Sequence, residues 1–416
     1  MTAHLYIDPG TGSMLFTILI GLVSALLFAG RRVLSRIRFF LRGGRAGHDA
    51  ADKNRESFVI FSDHKRYWNV FEPVCDELEK RGIDAAFLTA SPDDPALKKK
   101  YRHIKARFIG EGNAAYAKLN LLRADILLST TPGLDVLQWK HSRNVKWYVH
   151  ILHAANDPNM YRMFGLDYYD AVLLSGAYQA DQIRELEHLR GLPEKELVYT
   201  GLTYMDAMAD RLLRMRERAG AQAAENRQTV LLAPSWGENS ILNRYGARII
   251  EALLRTDYHI IIRPHPQTLV TEKALAERLM TCFPASDRLE WNKDNDNFDV
   301  LSRSDILISD FSGIIFDYTL VFDRPLIYAD TSYDKSPLDC WWSSEEPWTF
   351  QTLPKIGRQL REDDLPVLGD LIAECLADPV MRNAREQARD ETWMCRGEAA
   401  VRTVDYLVDK YKGLRL

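Results

Sequence analysis

The residues of this sequence best suited to chemistry lie where apolar runs of strand length end. His153 follows the apolar run 145–152 and precedes two alanines. An imidazole at the carboxyl end of a strand, facing a cleft, can act as a general base near neutral pH. A hydrogen-bonded structural histidine would produce the same local pattern. His150 lies three residues earlier and should point to the opposite face of the strand, so a metal site built from both histidines is not expected.

A second cluster follows the apolar run that begins at residue 259. The sequence IIIRPHP at 260–266 places Arg263 and His265 just beyond a buried strand. Pro264 and Pro266 stiffen this exit because each proline fixes its own φ angle. Arginine presents a planar fork of donors that fits phosphate oxygens, so the pair indicates a phosphate contact. A solvated turn is the alternative interpretation.

A third cluster follows the strand predicted at Ile306–Ser309 in the sequence DILISDFSGIIFDY (305–318). A polar turn here leads into the start of a helix, and its candidate anion-binding residues are Ser309, Asp310, Ser312 and Gly313. The amides and partial positive charge at a helix start favour an anion. Asp317, one turn further on, could orient a ribose or a base. Simple capping by Ser312 would explain that serine but not the whole cluster.

Ser235 supplies a weaker signal in the sequence APSWG at 233–237, which closes another predicted strand. Its hydroxyl and the following amides could hold an anion. The acidic sequence at 292–299 lacks the glycine and the terminal glutamate of a calcium loop. Five scattered cysteines show no metal-binding spacing. Neither a metal nor another cofactor is therefore expected.

The elements that must position these residues alternate between strands and helices from residue 57 onward. This order predicts parallel sheets covered by helices on both faces. The charged, alanine-rich segment 214–227 separates two such blocks, so we expect Rossmann-like domains at 55–215 and 228–416. Ligands in open α/β sheets bind beyond the carboxyl ends of the strands, where two facing domains leave a cleft. The net charge of −4 argues against nucleic acid as a partner.

Residues 1–50 differ in composition from the rest of the chain. The segment 14–30 contains no charged residue, which predicts a membrane-spanning helix, although a buried core helix is the alternative. The basic residues that follow would lie at the membrane surface, and they include Arg31, Arg32, Arg36 and Arg38. The positive-inside rule then predicts a single-pass protein of the cytoplasmic membrane, with its N-terminus outside and its domains in the cytoplasm.

Taken together, these motifs resemble the CDP-glycerol glycerophosphotransferase family, which contains teichoic-acid primases and polymerases. The resemblance is carried by RPHP at 263–266, SDFSGIIFDY at 309–318, PSW at 234–236, His153 with its small neighbour, and RGEAAVRTVDYL at 396–407. It extends from about residue 146 to the end of the chain. One departure is Gly237, where the family often has an arginine after the tryptophan.

The resemblance implies a GT-B fold, in which two Rossmann-like domains face a cleft. His153 would activate an acceptor hydroxyl, and Arg263 with His265 would contact the pyrophosphate of the donor. The implied phosphate and nucleotide contacts are Ser235, Ser309, Asp310, Ser312, Gly313 and Asp317. The hydroxyl of a lipid-linked or cell-surface glycan would attack CDP-glycerol or a related polyol donor and release CMP. A GT-B enzyme acting on a nucleotide sugar and a non-catalytic scaffold remain the alternatives.

Overall fold

The computed structural model of this chain describes residues 55–219, 227–294, 296–329 and 333–416. The predicted membrane segment 14–30 and the arginines that follow it lie outside these residues. Across the described ranges, no helix has both the length and the apolar character needed to cross a bilayer. Both sheets belong to one compact unit, Glu56–Leu416.

The first domain contains a seven-stranded parallel sheet with the order β3-β2-β1-β4-β5-β6-β7. Ser129 is paired with both Phe61 and His150, so three adjacent strands end at nearly the same level. Its strands are β1 (Glu56–Ser62), β2 (Ala85–Thr89), β3 (Ile104–Phe108), β4 (Ala124–Ser129), β5 (Val145–Ile151), β6 (Ala171–Leu174) and β7 (Glu196–Tyr199).

The second domain contains a six-stranded parallel sheet with the order β10-β9-β8-β11-β12-β13. Leu232 is paired with Ile262 and Ile308, which again aligns the carboxyl ends of three strands. Its strands are β8 (Thr229–Leu232), β9 (His259–Ile262), β10 (Leu289–Trp291), β11 (Ile306–Ser309), β12 (Leu326–Ala329) and β13 (Gly357–Leu360).

The central strands of both sheets are buried along their whole length, so helices must cover the faces of each sheet. The helices are α1 (Trp68–Lys80), α2 (Asn113–Leu119), α3 (Ala177–Arg190), α4 (Thr203–Ala219), α5 (Ile241–Arg244), α6 (Ala247–Leu254), α7 (Thr268–Thr271), α8 (Lys273–Cys282), α9 (Phe298–Ser302), α10 (Ile314–Phe316), α11 (Trp348–Ile356), α12 (Leu368–Ala377), α13 (Val380–Thr392) and α14 (Ala399–Gly413). Helix α10 continues as a π-helix over Asp317–Val321.

Two local departures from the sequence-based expectation have clear causes. The apolar pattern of residues 241–254 predicts one helix, but the structure interrupts it at Gly246, whose φ of 53° lies in the left-handed region that glycine tolerates. Strand β13 was not predicted, because GRQL is short and two of its four residues are partly or fully exposed. It forms because β12 offers it a partner at the edge of the sheet.

The last helix, α14, returns to the first domain. The hydroxyl of Tyr406 accepts a hydrogen bond from Trp147 Nε1 at 3.1 Å, and Ser57 Oγ donates to the Tyr411 hydroxyl at 2.9 Å. The block predicted at 228–416 therefore contributes its final helix to the neighbouring sheet. This packing joins residues that are more than 250 positions apart in sequence, which local patterns do not reveal.

Asp157 provides another connection between the two domains, close to the end of β5. Its buried carboxylate accepts hydrogen bonds from the amides of Trp348, at 2.6 Å, and Thr349, at 3.0 Å. These amides begin α11, so the aspartate of one domain caps a helix of the other. The loop that carries His153 is thereby tied to the second domain.

Candidate active site

A cleft of about 410 Å³ lies between the carboxyl ends of the two sheets. Loops from both domains line it, as expected for open α/β sheets. Among the residues predicted from the sequence, it brings together His153, Arg263, His265, Ser312, Gly313 and Asp317. Residues that sequence reasoning missed also line it, among them Arg66, Tyr67, Asn156, Tyr204, Trp236 and Asn297.

His153 lies just beyond β5 and is only partly exposed. Its Nδ1 is 2.9 Å from Thr130 Oγ1, and its ring centroid is 4.8 Å from that of Tyr67. Burial, together with the positive charge of Arg66, lowers the pKa of His153 to about 4. The imidazole is therefore neutral near pH 7 and can accept a proton.

His265 follows β9 and is held in place by its own loop. The backbone amide of Gln267 donates to Nδ1 at 3.1 Å, which leaves the proton of the neutral ring on Nε2. Burial, then the charges of Arg66 and Arg263, lower its pKa to about 4. The ring of Trp236, which is 45% exposed, is stacked at a centroid distance of 6.4 Å. This side of the cleft thus presents an imidazole donor beside an open aromatic face.

Arg263 reaches the cleft from the buried end of β9, with 8% of its surface exposed. Its Nη1 donates to Asn292 Oδ1, which fixes the position of the guanidinium. Burial lowers the pKa of Arg263 from its usual value, but an arginine remains charged at neutral pH. A fixed, largely desolvated guanidinium is well suited to bind phosphate oxygens.

Arg66 comes from the first domain, in the turn between β1 and α1. Its charge depresses the pKa values of both His153 and His265, so it acts on the two histidines from one place in the cleft. Sequence patterns did not identify Arg66, because it stands in a polar turn with no recognisable motif. Arg66 therefore supplies the cleft with a positive charge from the first domain. In the second domain, Gly237 stands where the resembled family often has an arginine, so that position supplies no charge.

Asp317 lies in the wall of the cleft with 7% of its surface exposed. Burial raises its pKa to about 7, and the nearby Asn297 amide opposes this shift only in part. Tyr204 donates from its hydroxyl to Asn297 Oδ1 at 2.6 Å. Asp317 Oδ1 is buried and has no hydrogen-bond partner. Asp317 Oδ1 is therefore available to accept a hydrogen bond from a ligand.

Ser309, Asp310 and Ser235 are placed behind the cleft rather than on its surface, contrary to expectation. Ser309 is fully buried, and its Oγ donates to the carbonyl oxygen of Ala233 at 2.7 Å. Asp310 accepts hydrogen bonds from three backbone amides: those of Ser235 at 2.8 Å, Ile241 at 3.1 Å and Phe311 at 2.8 Å. These side chains shape the loops of the site from within.

Ser312, Gly313 and Ile314 form the part of the turn that does face the cleft. A Cβ atom placed on Gly313 would lie 3.8 Å from the Cβ atom of Ala154, next to His153. The two domains therefore approach each other at this point, and the histidine lies beside the polar turn. In the described part of the chain, no cluster of histidine, cysteine and acidic side chains could hold a metal ion.

Comparison with protein families supports the resemblance carried by these motifs. The model of the CDP-Glycerol:Poly(glycerophosphate) glycerophosphotransferase family matches residues 166–336. This match covers less than half of the chain, and we call residues 166–336 the glycerophosphotransferase segment. The match is shorter at both ends than the resemblance from residue 146 onward predicted. The glycerophosphotransferase segment contains Arg263, His265 and Asp317, while His153 and Arg66 precede it.

Solved structures confirm the expected fold. The wall teichoic acid polymerase TagF has 16% sequence identity and a TM-score of 0.57 over 93% of this chain and 98% of that chain. A histidine-to-asparagine variant of TagF soaked with CDPG gives a TM-score of 0.58 at 16% identity, covering 93% and 98% of the two chains. The chain therefore has two Rossmann-like domains in a GT-B-like arrangement.

Other enzymes share the fold at a similar level. The S. aureus MnaA–UDP structure has 14% identity and a TM-score of 0.56, covering 86% of this chain and 97% of that one. An epimerase described as a putative UDP-N-acetylglucosamine 2-epimerase from Listeria monocytogenes gives 14% identity and a TM-score of 0.55, with the same coverage. A comparison with curated proteins found no matching sequence.

We expect Arg66→Gln to weaken donor binding about tenfold or more, because a charge-assisted contact contributes roughly 1.5–3 kcal/mol. The substitution should also raise the pKa values of His153 and His265, since both are lowered by this charge. NMR titration of the two imidazoles measures this change directly. Arg107→Gln, on an exposed strand edge away from the cleft, is the matched control. Unchanged imidazole titration in Arg66→Gln would contradict the role given to Arg66.

Proposed function

We propose that this protein transfers glycerol phosphate, or a related polyol phosphate, from a CDP-linked donor to a hydroxyl group of a lipid-linked or cell-surface glycan, and releases CMP. The observation that carries the proposal is the cleft itself. It places a neutral His153 within the same cavity as Arg263 and His265 of the glycerophosphotransferase segment. A proton acceptor and a phosphate-binding pair are the two components that this transfer requires.

In the proposed reaction, His153 takes the proton from the acceptor hydroxyl as its oxygen attacks the β-phosphorus of the donor. The new phosphorus–oxygen bond forms while the bond between the β-phosphorus and the bridging oxygen of CMP breaks. The bridging electrons leave with CMP. Arg263, Arg66 and the Nε2 proton of His265 would stabilise the negative charge on the pyrophosphate oxygens. Catalysis then rests on positioning and on charge stabilisation within a partly dehydrated cleft.

The nucleoside would occupy the side of the cleft formed by Trp236 and Asp317. Trp236 offers an exposed ring on which a pyrimidine can stack. Asp317 and Asn297 offer acceptors for ribose hydroxyls in a region that is otherwise buried. This arrangement supports a nucleotide-linked donor and leaves the acceptor to approach from the His153 side.

The membrane setting belongs to the same proposal. The apolar segment 14–30 and the arginines Arg31, Arg32, Arg36 and Arg38 would anchor the chain in the cytoplasmic membrane, with the enzyme body on the cytoplasmic side. Such an anchor would keep the cleft close to a lipid-linked acceptor. Residues 1–54 lie outside the described structure, so this part rests on the sequence alone.

A panel of nucleotides tests the donor class first. The full-length protein in detergent should be stabilised against thermal unfolding by CDP-glycerol or CDP-ribitol, by about 2.7 kcal/mol at 100 times the dissociation constant. Arg263→Gln should abolish most of this stabilisation, whereas Arg402→Gln, on the exposed face of α14, should retain it. Stabilisation by UDP-N-acetylglucosamine alone would favour an enzyme that uses nucleotide sugars. Release of CMP from CDP-glycerol in the presence of membranes then tests the transfer itself.

A further inference from the structure

A second cavity, of about 880 Å³, lies at the opposite end of the second sheet. It adjoins Asp323, Arg324 and Pro325, which enter β12 at its amino end, whereas the active-site cleft lies beyond the carboxyl ends of the strands. None of the residues that line this cavity lines the cleft. Its wall carries six arginines: Arg216, Arg324, Arg382, Arg385, Arg389 and Arg396.

Three of these arginines converge on a single carboxylate. The Nε atoms of Arg385 and Arg382 lie 3.1 Å and 3.2 Å from Asp323, and Arg389 Nη2 lies 3.6 Å from it. One negative charge therefore faces three positive charges in a confined space. Asp323 itself has a φ of 53°, in the left-handed region that aspartate tolerates better than most residues. The turn thus holds its carboxylate among the arginines at some conformational cost.

The other charges of the wall do not cancel this excess. The carboxylate of Asp206 accepts hydrogen bonds from Trp393 Nε1 at 2.8 Å and from the amide of Ala399 at 3.0 Å, so it serves the junction between α13 and α14. The lining contains four aspartates against six arginines, and one of these arginines, Arg396, is also paired with Asp390 outside the lining. Five arginines therefore remain against the four aspartates. An excess of guanidinium groups in a concave surface creates a positive potential that attracts anions.

Arg385 provides an independent indication of a ligand. Only 5% of its surface is exposed, and its Nη1 is buried without a hydrogen-bond partner. Leaving a buried charged donor unpaired is unfavourable, and natural structures rarely do so. By contrast, Arg389, in the same cluster, donates from Nε to the carbonyl oxygen of Leu320 at 2.7 Å. An oxygen atom of a bound anion would satisfy the remaining donor of Arg385.

We propose that this cavity is a binding site for a phosphate group, separate from the active-site cleft. A phosphate offers several acceptor oxygens around one centre, and this matches arginine forks that approach from different directions. Asp323 already pairs with three of these arginines, but one carboxylate uses only part of the hydrogen-bond donors that the arginines offer. The group could come from a soluble phosphate compound or from the headgroup of an anionic lipid, and the chemistry of recognition is the same for both.

Isothermal titration of the full-length protein with inorganic phosphate, at constant ionic strength set by chloride, tests the soluble source. Arg263→Gln removes a phosphate contact of the cleft, so binding that persists in this variant belongs elsewhere. Arg382→Gln is the diagnostic change, because this side chain is 73% exposed and its loss should leave the fold intact. We expect it to weaken binding about tenfold, since a charged hydrogen bond is lost.

Flotation with phosphatidylcholine vesicles, with and without phosphatidylglycerol, tests the lipid source. Arg382→Gln should then reduce the fraction bound to anionic vesicles relative to Arg402→Gln, an exposed arginine outside the cavity. If Arg382→Gln loses binding of inorganic phosphate, the ligand is a soluble phosphate compound. If Arg382→Gln binds inorganic phosphate normally but binds less to anionic vesicles, the ligand is a lipid headgroup. If Arg382→Gln and Arg402→Gln behave alike in both assays, the proposal is overturned. This result would be independent of CMP release, which reports on the cleft.

Discussion

Replacement of His153 by asparagine is expected to lower the rate of transfer by two to four orders of magnitude. A positioned general base typically contributes a factor of about 10² to 10⁴, and an asparagine cannot accept the proton. Asparagine retains a polar group near the position of Nδ1, so the contact with Thr130 and the local fold should persist. The measurement is the initial rate of CMP release from CDP-glycerol with membranes as the source of acceptor.

The low pKa of His153 predicts an unusual dependence of the activity on pH. Because the pKa values of His153 and His265 are both about 4, the acid limb of kcat/KM should lie well below the value near 6.5 of an ordinary histidine. Activity falls as the pH decreases through this range, since protonation removes the base. His188→Asn, on the outward face of α3, is the control for a histidine substitution. Full activity in His153→Asn would remove the proposed base from the mechanism.

Replacement of Asp317 by asparagine is expected to stabilise the protein by up to about 4 kcal/mol at pH 8. Burial raises the pKa of this carboxyl from an ordinary value of 3.8 to about 7, and each pH unit corresponds to 1.36 kcal/mol. In the unfolded chain the group ionises near pH 3.8, whereas in the folded protein it stays protonated until about pH 7. The free energy of unfolding therefore decreases as the pH rises between these values.

The pH dependence of this difference in unfolding free energy distinguishes it from the effect of a change in packing. Below pH 3.8 the group is protonated in both states, so its ionisation contributes no difference between the native protein and Asp317→Asn. The difference should grow up to about pH 7 and then remain constant. Chemical denaturation at pH 5 and pH 8 measures it, with Asp409→Asn, an exposed residue paired with Lys412, as control. A difference that does not change with pH would mean that Asp317 is already ionised in the folded protein.

The contrast between Asp310 and Asp317 shows how far sequence reasoning could reach in this site. Both residues stand in the same motif, seven positions apart, and both were predicted to serve the donor. The structure turns Asp310 toward three backbone amides and leaves Asp317 in the wall of the cleft with one unpaired oxygen. Burial raises both pKa values, so only the direction of each side chain distinguishes their roles.

The sequence by itself determined the alternation of strands and helices, the two Rossmann-like blocks and the motifs at the carboxyl ends of β5, β9 and β11. Apolar runs and turn residues are local signals, and parallel sheets require the order that they indicate. The tertiary structure decided which polar side chains meet. Arg66 joins His265 from a different domain, α14 crosses back to the first sheet, and three arginines gather around Asp323. These encounters depend on packing between distant segments, which neither spacing nor periodicity records.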